Sequence, residues 1–405
     1  MWTGSTASSL GAATTTVVLS WVVFSQTRNA IDVTFLGLAN FVPGLIIGLL
    51  AGVLADRFDR RGLMLRADLI RAAAIGALAV LLVLRGFDLL TIVVAVAVVS
   101  ALSAVFRPAS NAILPSLFAG GDLADANGLL LSGQTLGGFA GSAVGGLLVV
   151  TIGAVGGFSL NAFTYAISAT MIFFLVVPRS NARVASPTPG PKPSYLDDLW
   201  EGFQFVRSRP ALLWTILASC VANFFLAFYL LYLVVFVPDG VHAGAAIFGL
   251  SVGLSAIGFG AGSLVVGRFG FVRKAGWTYI LGWTGAGVVL LLLALFPSVP
   301  LLLVATPAFG VLGGIANTTY LTCVQRIVPG PMLGRFFAID EVASFAVIPL
   351  GQIVGGILVV MAGIDATFVI AGVGTTLSTA LLVLSREARE LSDSPLSTPA
   401  AAGAG

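Results

Sequence analysis

Leu89-Leu90-Thr91-Ile92-Val93-Val94-Ala95-Val96-Ala97-Val98-Val99 contains one hydroxyl and no charge, and its side chains do not alternate between apolar and polar. Val288 to Phe296 reads the same way. Only helices and closed barrels satisfy every backbone N–H and C=O in hydrocarbon. Barrel strands alternate over roughly 10 residues, so these stretches are α-helical. The composition agrees: of 405 residues, 58% are hydrophobic and 9% charged, against roughly 25% charged in a soluble domain. So little charge cannot cover a water-facing surface. The solvent of this chain is lipid.

Working outward from these stretches, apolar runs near the roughly 20 residues that cross a bilayer fall at 5–24, 32–55, 65–84, 89–112, 128–150 and 155–177. A second set falls at 211–236, 244–266, 276–296, 299–321, 337–361 and 366–384. The expected fold is an all-α membrane protein of about twelve transmembrane helices. Residues 1–177 and 211–384 form two six-helix bundles, joined by a linker at 178–210 and followed by a tail at 385–405. The linker holds Pro187, Pro189, Pro191 and Pro193 and is too polar to span. After it, Ser194-Tyr195-Leu196-Asp197 fits a capping box, with Leu199, Trp200, Phe203 and Val206 at helical spacing. That segment is either an interfacial helix or the frayed start of the seventh span. The Pro/Ala/Gly-rich tail lacks a periodic apolar face and is expected to be disordered.

Lys and Arg concentrate on cytoplasmic loops. With the amino terminus inside, 18 of the 20 basic residues fall inside and only Arg28 and Arg85 outside. Both termini and the linker are therefore expected in the cytoplasm. The first span has no basic flank and is followed at once by another, so a cleaved signal peptide is not expected. The net charge of +3 is spread one loop at a time, which topology explains without a nucleic-acid partner. Cys220 and Cys323 lie in apolar runs of opposite halves, without metal-ligand or staple spacing, and read as small packing residues.

Sliding the chain by 210 residues pairs Gly48 with Gly258, Gly52 with Gly262, Gly141 with Gly351, and Gly145-Gly146 with Gly355-Gly356. Matched order in two halves points to parallel repeats, a plan in which substrate binds near midplane and the halves rock against each other. Small residues spaced by four, at Gly44/Gly48/Gly52, Gly137/Gly141/Gly145, Gly258/Gly262 and Gly351/Gly355, are expected to line the sliding faces or to serve ordinary tight packing.

Between the second and third spans lies Gly52-Val53-Leu54-Ala55-Asp56-Arg57-Phe58-Asp59-Arg60-Arg61. It resembles the major facilitator superfamily signature G-x-L-A-D-R-x-G-R-K, with Asp59 for the usual glycine and Arg61 for the usual lysine. Phe106-Arg107-Pro108-Ala109, Leu114-Pro115 and Ala126-Asn127 are similar to the third drug:proton antiporter group, the drug, macrolide and siderophore exporters. The resemblance implies two pseudo-symmetric six-helix bundles, a small-molecule substrate, protons as coupling ion and a monomer in the lipid bilayer, with no cofactor or metal. It also implies a conformational latch: Gly52, Asp56 and Arg61 at an inner loop, Asp56 against the start of the eleventh span near Phe336 to Asp340, and Arg57 or Arg60 paired with Asp122 or Asp125.

Charges inside a span cost roughly 2.5–3.5 kcal/mol on insertion scales, which makes them functional candidates. For coupling, either Asp340 or Glu341 is the first candidate, then Asp32, with Arg107 able to bias a neighbouring acid or to snorkel. The implied cavity helices carry Asn40, Gln134, Asn223, Tyr229, Asn317 and Gln352. Apolar walls with scattered amides suit a bulky amphipathic molecule. Gly249-Leu250-Ser251-Val252-Gly253 spells G-x-S-x-G, but that elbow needs a strand-to-helix turn and this segment is helical. No phosphate-binding G-x-x-x-x-G-K-[ST] loop is present. An enzyme is therefore not expected; the alternatives are an importer or uniporter on the same fold, and a non-transporting scaffold.

Overall fold

A computed structural model describes residues 2–117, 122–175, 195–269 and 274–390. Its helices run in order α1 (Trp2–Thr27), α2 (Ala30–Arg57), α3 (Arg60–Arg85), α4 (Leu89–Leu117), α5 (Asp122–Thr151), α6 (Gly153–Phe173), α7 (Tyr195–Arg207) and α8 (Pro210–Val235). There follow α9 (Ala245–Phe269), α10 (Ala275–Leu295), α11 (Val299–Ile327), α12 (Gly330–Phe345), α13 (Ile348–Ala380) and the short α14 (Arg386–Arg389). Among the described residues, 10 helical runs are long and apolar enough to cross a membrane. The last, Arg335–Leu384, has 50 residues. At about 1.5 Å per residue it would be far longer as a rod than the bilayer core is thick. It does not run straight. Gly363 takes φ 84, ψ 169, a conformation open to glycine, and the chain folds back there: Gly351 packs on Phe224 and Gly374 on Phe225, adjacent residues of α8.

The expected single helix over 337–361 is two pieces, α12 and α13, separated at Ala346 and Val347. Pro349 falls in the first turn of α13, where its missing N–H costs nothing. The segment after the linker is a helix of its own: Arg209 is extended ahead of Pro210, as a residue before proline prefers, and this separates α7 from α8. α7 docks on α12 through Gly202 against Arg335 and a Glu201–Arg335 ion pair of 2.6 Å. It leaves Trp200 and Phe203 exposed and stacked at 5.5 Å.

The matched glycines make matched contacts. A Cβ on Gly141 would sit 2.2 Å from the Leu10 carbonyl of α1, and one on Gly351 2.3 Å from the Phe224 carbonyl of α8. Gly145 then meets Thr14 as Gly355 meets Phe228. Most stripes are therefore seams inside a half rather than sliding faces: Gly258 and Gly262 pack on Pro307 and Val311 of α11, Gly137 on Thr6, and Gly44 on Ser100, while Gly48 has no neighbour within 4 Å. Without a hydrophobic force between helices in lipid, close backbone approach supplies the adhesion within each half.

The halves meet through the next residues along. Gly146 abuts Gly249 of α9, and its repeat mate Gly356 abuts Thr34 of α2. Trp21 stacks on Phe248 at 5.5 Å, and Arg28 approaches Asp239 at 3.7 Å. These contacts lie toward the end formed by the α1–α2 and α8–α9 connections, here called the far end. Trp2 and Arg389 lie at the opposite, terminal end. One apolar cluster spans both halves toward the far end. At the terminal end the clusters are separate, one around Met64 and Phe106, the other around Phe336 and Ile327.

Candidate functional site

Where the halves diverge, a cavity of about 590 Å³ opens between α1, α2, α4, α6 and the end of α12. Helical spacing of three and four sets Ser100, Ser103 and Arg107 on one face of α4, and all three line it, with Thr15, Thr16 and Asn40 opposite. Ser100 stitches α2 to α4: its hydroxyl donates to the Asn40 carbonyl at 2.8 Å and accepts from the Gly44 N–H at 3.1 Å. Pro43 lies inside α2 between them. A second chamber of about 320 Å³, toward the far end, is lined by Val17, Leu231, Val234, Phe248 and Val252, and shares Thr16 with the first.

Behind Ser103 and Tyr165 lies a buried ion pair. Asp68 and Arg71 of α3 are 0% and 4% exposed. Arg71 donates to Asp68 Oδ1 and, at 3.2 Å, to Ser103 Oγ, and its guanidinium sits 4.5 Å from the Phe106 ring and 4.7 Å from that of Tyr165. Asp68 Oδ2, Arg71 Nε, the Tyr165 hydroxyl and the Thr15 hydroxyl have no hydrogen-bond partner. Ser168 lies close to Asp68, and Asn161 close to Tyr165, without closing a well-formed bond.

Of the sequence candidates, Asn40 and Arg107 line the large cavity. Gln134 donates to Ser5 at 3.0 Å, and Asn223 donates to the Ser344 carbonyl at 2.8 Å, tying α8 to the end of α12. Tyr229 is buried between Phe309 and Phe368, at 4.7 and 5.9 Å. Asn317 is exposed on α11, and Gln352 belongs to the far-end closure. Asp340 accepts from Tyr320 at 3.1 Å and from Ser344 at 3.2 Å inside its own half. Asp32 lies in the first turn of α2, where the helix dipole favours an acid.

The side chains of Asp56, Arg57, Asp122, Asp125 and Glu341, and the surroundings of Gly52, lie outside what is described. Two signature positions do have visible local work. Asp59 caps α3 by accepting from the Gly62 N–H at 2.7 Å, and Arg61 donates to the Ile172 and Phe173 carbonyls at the end of α6. Arg60 makes an interaction of its own at the start of α3.

The far end is closed by a relay across the halves: the Thr34 and Tyr232 hydroxyls lie 2.6 Å apart, and Tyr232 donates to the Gln352 carbonyl at 2.6 Å. An interhelical hydrogen bond in a membrane contributes on average about 0.6 kcal/mol and at most about 1.7. Tyr232→Phe is therefore expected to loosen the closure modestly, raising several-fold the labelling of a cysteine at Ser20 by a thiol reagent applied from the far side.

Comparison with known proteins extends these observations. The model of the transmembrane secretion effector family of major facilitator transporters matches residues 1–398. The chain is 28% identical over 396 residues to the multidrug efflux pump Tap of Mycolicibacterium fortuitum, covering 94% of this chain and 93% of that protein. It is 27% identical over 321 residues to the enterobactin exporter EntS of Escherichia coli O1:K1, covering 79% and 74%. Among solved structures, the nucleoside transporter NupG superposes with a TM-score of 0.73 at 14% identity, over 95% of this chain and 98% of that one. A family match over nearly the whole length, on a helical fold whose halves part around a cavity, leaves one assignment: the chain is a multi-pass membrane transporter, not an enzyme, and belongs to the transmembrane secretion effector family of the major facilitator superfamily.

Proposed function

We propose that this transporter exports a bulky amphipathic small molecule in exchange for protons, acting as a monomer by rocking two six-helix halves about a central site. Twelve crossings are proposed: the 10 apolar runs, α6 in addition, and two passes in place of one in the run folded at Gly363. The loop-charge bias puts both chain ends and α7 in the cytoplasm. The observation that carries the reading is the cavity between the halves, closed toward the far end and flanked by separate apolar clusters at the terminal end. The names of the efflux pump and the siderophore exporter support the direction.

The test is transport into inverted membrane vesicles with and without a proton ionophore. Proton-dependent accumulation inside the vesicles is expected. Movement that ignores the ionophore would replace the proposal with a facilitator, and accumulation in the opposite direction with an importer. Asp340→Asn and Glu341→Gln are the first substitutions for locating the proton, followed by Asp32→Asn. For the latch at Gly52, Asp56, Arg57, Arg60, Asp122 and Asp125, an anion at Asp56 is favoured by the N–H groups that open α12. Asp56→Asn is expected to cut transport about tenfold or more with expression unchanged, and undiminished transport would remove the latch.

A further inference from the structure

Among the described residues that line the two chambers, only Arg107 carries charge. Arg107 is an exposed residue of the cavity lining and makes no ion pair or hydrogen bond among the described residues. Of the helices around it, α1 and α6 carry no charged residue and α4 has no other, while the charged residues of α2 (Asp32, Asp56, Arg57) and α12 (Arg335, Asp340, Glu341) are not among the described lining residues. Within the wall, Asp68 and Arg71 neutralise each other behind Ser103 and Tyr165. An arginine that only snorkelled would have its polar surroundings supplied by water. This one faces a wall in which the Thr15 and Tyr165 hydroxyls, 5% and 0% exposed as residues, also lack partners. Polar groups left without partners beside a cavity are groups a ligand can satisfy.

The second chamber has the opposite character. Thr16 marks the boundary between them, and beyond it the wall is aliphatic and aromatic save Ser20 and Ser142. The chambers are arranged along the molecule, with the cation toward the terminal end and the apolar space toward the closed far end. A ligand spanning both would place a head beside Arg107 and a tail among Leu231, Val234 and Phe248.

We propose that the site selects amphiphiles with an anionic head group, Arg107 setting the charge preference and the apolar chamber holding the tail. This rests on the reading of the protein as an exporter of amphipathic molecules and names the class within it. A carboxylate or phosphate beside an unpaired guanidinium gains charge-assisted hydrogen bonds; a quaternary ammonium head meets a like charge between low-dielectric walls.

The test uses two fluorescent dodecyl probes that differ only in the head, carboxylate or trimethylammonium, binding to the full-length protein in nanodiscs of zwitterionic lipid. Wild type is expected to bind the carboxylate about tenfold more tightly. Arg107→Lys should keep that preference, Arg107→Gln bring the ratio to about one, and Arg107→Glu invert it. Val252→Trp, which fills the apolar chamber, should weaken both probes and leave their ratio unchanged. Glu341 precedes Phe345, a lining residue, by about one helical turn, so Glu341→Gln should preserve or widen the preference. Equal or tighter binding of the ammonium probe by wild type, an unchanged ratio in Arg107→Gln, or a lost preference in Glu341→Gln would overturn the proposal. Because binding is read without a gradient, the two readings fail separately. An intact anion preference with no vesicle accumulation sinks export alone, and proton-driven accumulation without a preference sinks charge selection alone.

Discussion

Arg71→Leu is expected to destabilise the protein by roughly 3 to 5 kcal/mol, the range for breaking a buried pair by removing one partner. The loss would come from Asp68, which is 0% exposed and would stay buried without its counter-ion. Asp68→Asn should be milder, because Arg71 retains Ser103 at 3.2 Å and the faces of Phe106 and Tyr165. The decisive comparison is the double variant Asp68→Leu with Arg71→Leu. Replacing both charges by apolar groups of similar volume is often neutral or better, so most of the lost stability should return. Unfolding by titration with a denaturing detergent in mixed micelles reads all four proteins. An Arg71→Leu protein as stable as wild type would show that no buried charge was left unpaired.

A second large effect is expected at Gly146. A Cβ there would lie 2.3 to 2.5 Å from backbone atoms of Gly249, and backbone cannot swing aside as a side chain can. Gly146→Val must push α5 from α9 and pry open the far end, where the two halves are joined. Transport should fall at least tenfold, and far-side labelling of the cysteine at Ser20 should rise well beyond the change expected for Tyr232→Phe. Gly138→Val is the matched control: the same helix, but no atom within 4 Å of the added carbon. Equal behaviour of the two variants would mean that the Gly146–Gly249 contact does not hold the halves together.

Hydropathy made the helices legible because an unsatisfied backbone group in hydrocarbon costs several kcal/mol, so a long apolar run must be a helix whatever surrounds it. The fold at Gly363 was legible only as a gap between runs, since one φ value is not written in composition. Asp59 is the instructive substitution: it departs from the signature, and its side chain caps α3. Arg61 reads by its residue type as positive-inside topology, the latch being implied only by the resemblance, and its contact with the end of α6 depends on where that helix lies. Asn40 and Arg107 line the cavity, whereas Gln134, Asn223 and Tyr229, polar residues on the same general helices, tie helices together instead. The cavity residues Ser100 and Ser103 share a helical face with Arg107 and could have been read from that spacing. Thr15, Asn161 and Tyr165 had no such signal.

The sequence by itself determined the solvent, most of the helices and the family to which the signature belongs. Only the tertiary structure decided which face of each helix turns inward. In water an apolar stripe would announce that face; in lipid nearly every face is apolar, and rotation about the helix axis is set by where backbones can touch. Gly141 and Gly146 look alike along the chain, yet one seals a half and the other joins two.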